Sequence, residues 1–163
     1  NMRIRPFRPA DAPALAALFH AAVHRAGSRY YVPEQLHAWS PAPPPPDRYI
    51  EQAHGRTFLV AQDAAGRVIG YGDLERDGHI DHLYCHPDVI GTGVGGAILD
   101  ALEQAARRDA IARLYVEASE NARPLFERRG FTLNARNDFE RRGVAIHNYR
   151  MSKRLVQART PVP

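Results

Sequence analysis

The spacing of apolar and polar residues changes several times along this 163-residue chain, and each change marks an element. IRPFRP (4–9) begins as a strand. Asp11 then stands where a helix cap belongs, and Ala14, Leu15, Leu18, Phe19, Ala22 and Val23 recur at helical spacing to about His24. YYVPEQLHAWS (30–40) reads as a short second helix with Pro33 near its first turn. PAPPPP (41–46) is a stiff spacer rather than a domain boundary. DRYIEQAHG (47–55) is a third helix, stopped by Gly55. TFLVAQD (57–63), VIGYGDLER (68–76) and HIDHLYCH (79–86) follow as a three-stranded meander. A glycine-rich turn opens a helix that runs to about Arg108. IARLYVEAS (111–119) has the continuous apolar character of a buried strand, and ARPLFERRG (122–130) is a helix ended by Gly130. FTLNARNDFE (131–140) and VAIHNYRMSK (144–153) pair around Arg142-Gly143. The pattern predicts one α/β (α+β) domain with a mixed sheet over residues 2–155, followed by a disordered tail, 156–163.

Composition narrows the picture modestly. The net charge is +4 with histidine neutral, and arginine supplies nearly all the positive charge, because Lys153 is the only lysine. Such an excess favours phosphate or carboxylate ligands. No basic stripe is interleaved with aromatics, so nucleic acid is not an expected partner. Cys85 is the only cysteine, so no internal disulfide forms. No apolar run reaches the roughly 18 residues of a membrane helix. Arg3, Arg5 and Arg8 are not followed by the apolar segment of a signal peptide, so a cytoplasmic location is expected. Asn1 precedes Met2 and reads as a remnant of expression.

The chemistry concentrates in HPDVIGTGVGGAIL (86–99), where Gly91, Gly93, Gly95 and Gly96 fall within six residues. Glycines let the backbone turn freely, and the amides that follow, at a helix N-terminus, suit a phosphate. Gly91, Gly93 and Gly96 also satisfy GxGxxG, and Glu117 stands about 20 residues further on, where a dinucleotide's ribose ligand belongs. Three features oppose a nicotinamide-dependent oxidoreductase. HPDVI separates the strand from the glycines, the preceding strands form a meander, and too little chain follows for a second nucleotide half.

HIDHLYCHPDVIGTGVGGAILDALEQAA resembles the first motif of the GNAT superfamily of acyl-CoA N-acyltransferases. There a strand ending in LYV-x-P leads into Q/R-x-x-G-x-G/A. SENARPLFERRGF (119–131) resembles the family's second motif, and the likeness extends over about residues 3–153. VEAS, ARPLFERRGF, RRGVAIHNYRM and the AW near residue 39 further resemble a bacterial YafP-like subgroup. The resemblance implies a mostly antiparallel sheet flanked by helices, with a splayed strand pair at a coenzyme A cleft. It implies transfer of an acetyl group from acetyl-CoA to an amine of a small molecule or protein, by direct attack in a ternary complex. Many members pair as homodimers. A domain that binds coenzyme A without catalysis is the alternative, motivated by two departures. Ile90 replaces the loop's usual Gln or Arg, and Phe126 stands where the family often has a Tyr near the coenzyme sulfur.

Carried onto this chain, the cofactor positions are Leu83, Tyr84 and Cys85 on the strand and Gly91, Thr92, Gly93, Val94, Gly95 and Gly96 in the loop. Ser119, Asn121, Arg123 and Phe126 complete the set, with Phe126 packing on the pantetheine and Arg123 and Arg128 available to phosphates. The attacking amine must lose a proton, so a general base is sought. Asp81 comes first as the nearest to the thioester, then Glu117 on the neighbouring strand, then His79. Strict alternation would place His79, Asp81, Leu83 and Cys85 on one face and Ile80, His82 and Tyr84 on the other. It also separates His79 and Cys85 from His82 and His86, so no metal site is expected. Tyr30, Tyr31, His37, Trp39, Asn148 and Tyr149 are the candidates for the acceptor pocket.

Overall fold

The computed structural model describes residues 1–155, so the predicted disordered tail (156–163) lies outside the described residues. Seven strands form one sheet: β1 (Arg3–Pro6), β2 (Thr57–Gln62), β3 (Val68–Leu74), β4 (His79–Cys85), β5 (Arg113–Ala118), β6 (Thr132–Arg141) and β7 (Val144–Arg154). Their order is β1-β2-β3-β4-β5-β7-β6, and β4–β5 is the one parallel pair. A sheet with a single parallel pair has no second βαβ unit, so it does not form the nucleotide halves of a dinucleotide fold.

Five helices cover the sheet: α1 (Ala12–Ala21), α2 (Pro33–Trp39), α3 (Asp47–Gln52), α4 (Val94–Arg108) and α5 (Arg123–Arg128). The amphipathic α4 buries Ile98, Leu99 and Leu102 against one face, where α5 adds Phe126. α1 buries Leu15, Leu18 and Phe19 against the other. Pro33 occupies the first turn of α2, where its missing N–H costs nothing. Asp11 does not cap α1. Its carboxylate turns back to a bidentate pair with Arg5 (2.7 and 2.8 Å) and accepts from the Arg8 N–H at 2.8 Å. The expected helix to His24 ends as an α-helix at Ala21. It widens into a π-helical turn (Ala22–Ala26) and then tightens into a 3-10 turn (Gly27–Arg29).

The register of β3 against β4 is interrupted. Gly72 pairs with Leu83 and Leu74 with Ile80, so Asp73 faces two residues, Asp81 and His82. Asp73 is fully buried and holds this bulge with both oxygens. Oδ1 accepts from the His82 N–H at 2.7 Å, and Oδ2 accepts from Gln52 at 2.9 Å and Arg56 at 2.7 Å. Arg56 also donates to Asp81 at 2.9 Å, which ties the bulged residue itself to the clamp.

Two consequences follow from the extra residue. The strict alternation expected along β4 does not hold: Ile80, Leu83 and Cys85 share the α4 face, while His82 and Tyr84 contact Phe19 of α1. β4 also bends away from β5. The two strands pair only at His79–Tyr115 and Ile80–Val116, whereas β5 continues along β7 to the Ala118–Tyr149 pair.

Removing the clamp strands a backbone N–H and a guanidinium. Asp73→Ala is expected to lower the unfolding free energy by about 3 kcal/mol in urea denaturation. Arg56→Ala is expected to cost less, because the guanidinium is partly exposed.

Candidate active site

Where β4 and β5 part, a cleft of about 730 Å³ opens. Leu83, Tyr84 and Cys85 line it from β4, and Gly91, Gly93, Val94, Gly95 and Gly96 line it from the turn into α4. Ser119 and Asn121 border it beyond β5. The cofactor positions of the two motifs, far apart in sequence, therefore largely meet at one opening.

The glycine turn is built for an anion. Gly91 and Gly93 have φ of +80° and +94°, and Gly93 immediately precedes α4. The first helical bond there is Ala97 N–H to Gly93 C=O at 3.0 Å. The N–H groups of Val94, Gly95 and Gly96 precede it and belong to the first turn, which has no acceptor within its own helix. Beside Gly96 lies the guanidinium of Arg129, which follows α5 and pairs with Asp100 at 2.9 Å. Ile90 is exposed and offers this turn no side-chain donor. Thr92 Oγ1 turns inward and donates to Val89 C=O at 2.5 Å.

Other expected cofactor residues sit differently. Ser119 accepts from the Ala122 N–H at 3.2 Å, a local cap, and Asn121 donates to Ala26 C=O at 2.6 Å. Phe126 does not pack along the cleft. It is buried in the core, edge-on to Phe131 at 4.9 Å, because an apolar ring is stabilised by core contacts. Leu125 of α5 takes a cleft-lining position instead. Arg123 also lies off the cleft, with its guanidinium 4.4 Å from the Tyr149 ring and paired to Glu127 at 2.9 Å. The arginines that do line the cleft are Arg25, Arg29, Arg128 and Arg129. Only the second motif gave a signal for Arg128. The π turn after α1 carries Arg25 there, which helical spacing alone does not disclose.

Of the acceptor candidates, Tyr30, Tyr31 and Trp39 line the cleft. Tyr31 and Trp39 meet edge to face at 5.6 Å. The Tyr31 hydroxyl donates to His147 C=O and accepts from the Glu120 N–H, both at 3.0 Å. Asn148 is buried and accepts from Asn137 at 2.8 Å, and Tyr149 packs with His147 and Arg123. Both stand on β7, outside the cleft lining, and His37 is also exposed outside it.

The three candidate bases are tied into ion pairs. His79 lies between Glu75 at 2.8 Å and Glu117 at 2.9 Å and stacks on Tyr115. The hydrogen bond to Glu117, joined by the one to Glu75, outweighs burial and raises its pKa to about 9. At neutral pH His79 is a cation and Glu117 is its counter-ion, so neither is a free base. Asp81 is held by Arg56. Glu75, His79 and Asp81 place ligand-type atoms within 4.8 Å of one another, but these same ion pairs already engage all three side chains. His82, beside them, is held neutral by burial, with Nδ1 3.0 Å from the Tyr71 hydroxyl.

A raised histidine pKa contributes stability below its ordinary value and loses it as pH climbs through the folded one. The melting temperature is expected to fall by roughly 3–6 °C as pH passes through about 9. His79→Gln is expected to lower the melting temperature at neutral pH and flatten that decline.

The comparisons with known proteins agree with this geometry. The description "Acetyltransferase (GNAT) domain" matches residues 28–153. The chain is 34% identical over 155 residues to the uncharacterized N-acetyltransferase YafP of Escherichia coli, covering 93% of this chain and 95% of that one. It is 35% identical to a solved GCN5-related N-acetyltransferase (aminotransferase, class II) from Rhodopseudomonas palustris. The TM-score is 0.87, with 94% of this chain and 95% of that chain covered. At 21% identity it shares its fold with yncA of Salmonella typhimurium, with a TM-score of 0.76 and coverage of 99% and 98%. With its splayed β4–β5 pair and glycine turn, the chain belongs to the GNAT acetyltransferase family.

Proposed function

We propose that this protein transfers the acetyl group of acetyl-CoA to a primary amine by direct attack within a ternary complex. The observation that carries the reading is the parting of β4 and β5 beside a helix start whose first-turn amides have no acceptor within their own helix. The Salmonella protein of the same fold was solved with its cofactor acetyl-CoA, which supports the choice of donor.

The residues present suit that donor. The amides of Val94, Gly95 and Gly96 would receive its pyrophosphate at the start of α4. Arg25 and Arg129 line the same cleft, where a phosphate would share them with Asp88 and Asp100. The stretch Leu83–Cys85, past its last pairing with β5, has backbone groups available for the pantetheine arm and for the oxyanion. The amine nitrogen attacks the thioester carbonyl, the C–S bond breaks, and the proton leaving nitrogen balances the thiolate released. Cys85 stands in the cleft, but burial pushes its thiol up to about 11. A protonated thiol is a poor nucleophile, which favours direct transfer over an acyl-cysteine intermediate.

Acetyl-CoA is expected to raise the melting temperature in a thermal-shift assay, and NAD to leave it unchanged. Gly93→Ala strains a φ of +94° and is expected to weaken acetyl-CoA binding about tenfold. Cys85→Ala is expected to keep amine-dependent thiol release. Stabilisation by acetyl-CoA without release to any amine would instead favour a coenzyme-binding domain.

A further inference from the structure

The α1 side of the cleft is an aromatic recess. Tyr31, Leu36, Trp39 and Tyr84 wall it, and Val23 closes its edge. The charged side chains lining the whole cleft are Arg25, Arg29, Arg128 and Arg129; among the described residues no carboxylate and no imidazole lines it. The carboxylates of the segments around the cleft are engaged, Asp81 by Arg56, Glu117 by His79, Asp88 by Arg25 and Glu120 by His147. Three ionisable groups of the wall hold their protons more tightly than usual. Burial raises the phenols of Tyr31 and Tyr84, and the thiol of Cys85 is raised in the same way.

An alkylamine arrives as an ammonium ion. Among the cleft-lining residues it would meet no carboxylate to pair with and no base to take its proton. An amine attached directly to an aromatic ring is different. Its lone pair is delocalised into the ring, so at neutral pH it is already uncharged and needs no base before attack. Its ring also matches walls made of Trp39, Tyr31 and Tyr84. Resting on the acetyltransferase reading above, we infer that the acceptor is an uncharged aromatic amine, seated ring-first against the wall formed by Tyr31, Trp39 and Tyr84. Its nitrogen bonds to the acetyl carbon and the C–S bond breaks. The proton lost from nitrogen after attack goes by way of solvent to the departing sulfur, giving an N-aryl acetamide and free coenzyme A.

The test compares thiol release from acetyl-CoA with aniline, benzylamine and spermidine at neutral pH. Aniline and benzylamine share the ring and differ in charge, while spermidine has charge and no ring. The expected kcat/KM for aniline exceeds both others by about a hundredfold, the contribution of the base they lack. Trp39→Leu is expected to raise KM for aniline about tenfold and leave KM for acetyl-CoA unchanged. If Trp39→Leu fails to fold, seen as the loss of a cooperative melt, Tyr31→Leu tests the same wall. Benzylamine or spermidine matching aniline overturns the inference and leaves the acetyltransferase reading standing. An unchanged aniline KM in the folded wall variant also overturns it. Acetyl-CoA binding with no release to any of the three amines overturns both this inference and the transfer reading on which it rests.

Discussion

One buried carboxylate, Asp73, determines where the central sheet opens. A strand pair in regular register has no reason to part from its next neighbour. Here the β3–β4 register takes up one extra residue, and the cost is met by polar contacts that Asp73 can make only at that position. Its two oxygens fix the His82 N–H, Gln52 and Arg56, and Arg56 returns to Asp81. The bend that results leaves β4 and β5 only two paired positions. The cleft, the orientation of Leu83, Tyr84 and Cys85, and the separation of the coenzyme side from the α1 side all depend on this junction.

The same junction sorts the charges. On one side of the parting, acids and bases neutralise each other in a continuous network through Arg56, Asp81, Glu75, His79 and Glu117. On the other, the cleft keeps arginines and aromatic rings. The candidate bases, His79 and Asp81 on β4 and Glu117 on β5, are thus ion-paired, while backbone groups and apolar walls border the cleft.

Much of the architecture is legible in the sequence where local rules operate alone. The 3.6-residue period of α4, the four glycines before it and the Arg142-Gly143 hairpin each have a local physical cause, and the structure contains all three. The bulge is not legible, because it depends on which β3 residue faces β4, and strict alternation groups Ile80 with His82 and Tyr84 rather than with Leu83 and Cys85. Phe126 shows the limit of a motif: it locates a residue along a helix, but a phenyl without a hydroxyl turns to the core. Arg25 illustrates another gap, since one widened turn at the end of α1 decides that it reaches the cleft. Asp11 matched the cap pattern, yet a bidentate arginine from β1 holds it more strongly than helix amides would.

The most direct test is a crystal structure of the protein with acetyl-CoA bound. The account predicts the pantetheine arm between β4 and β5, beside Leu83–Cys85, with the pyrophosphate on the amides of Val94–Gly96 and the Asp73–His82 clamp intact. A coenzyme bound outside that gap, or β4 and β5 paired continuously beyond Ile80, would contradict it.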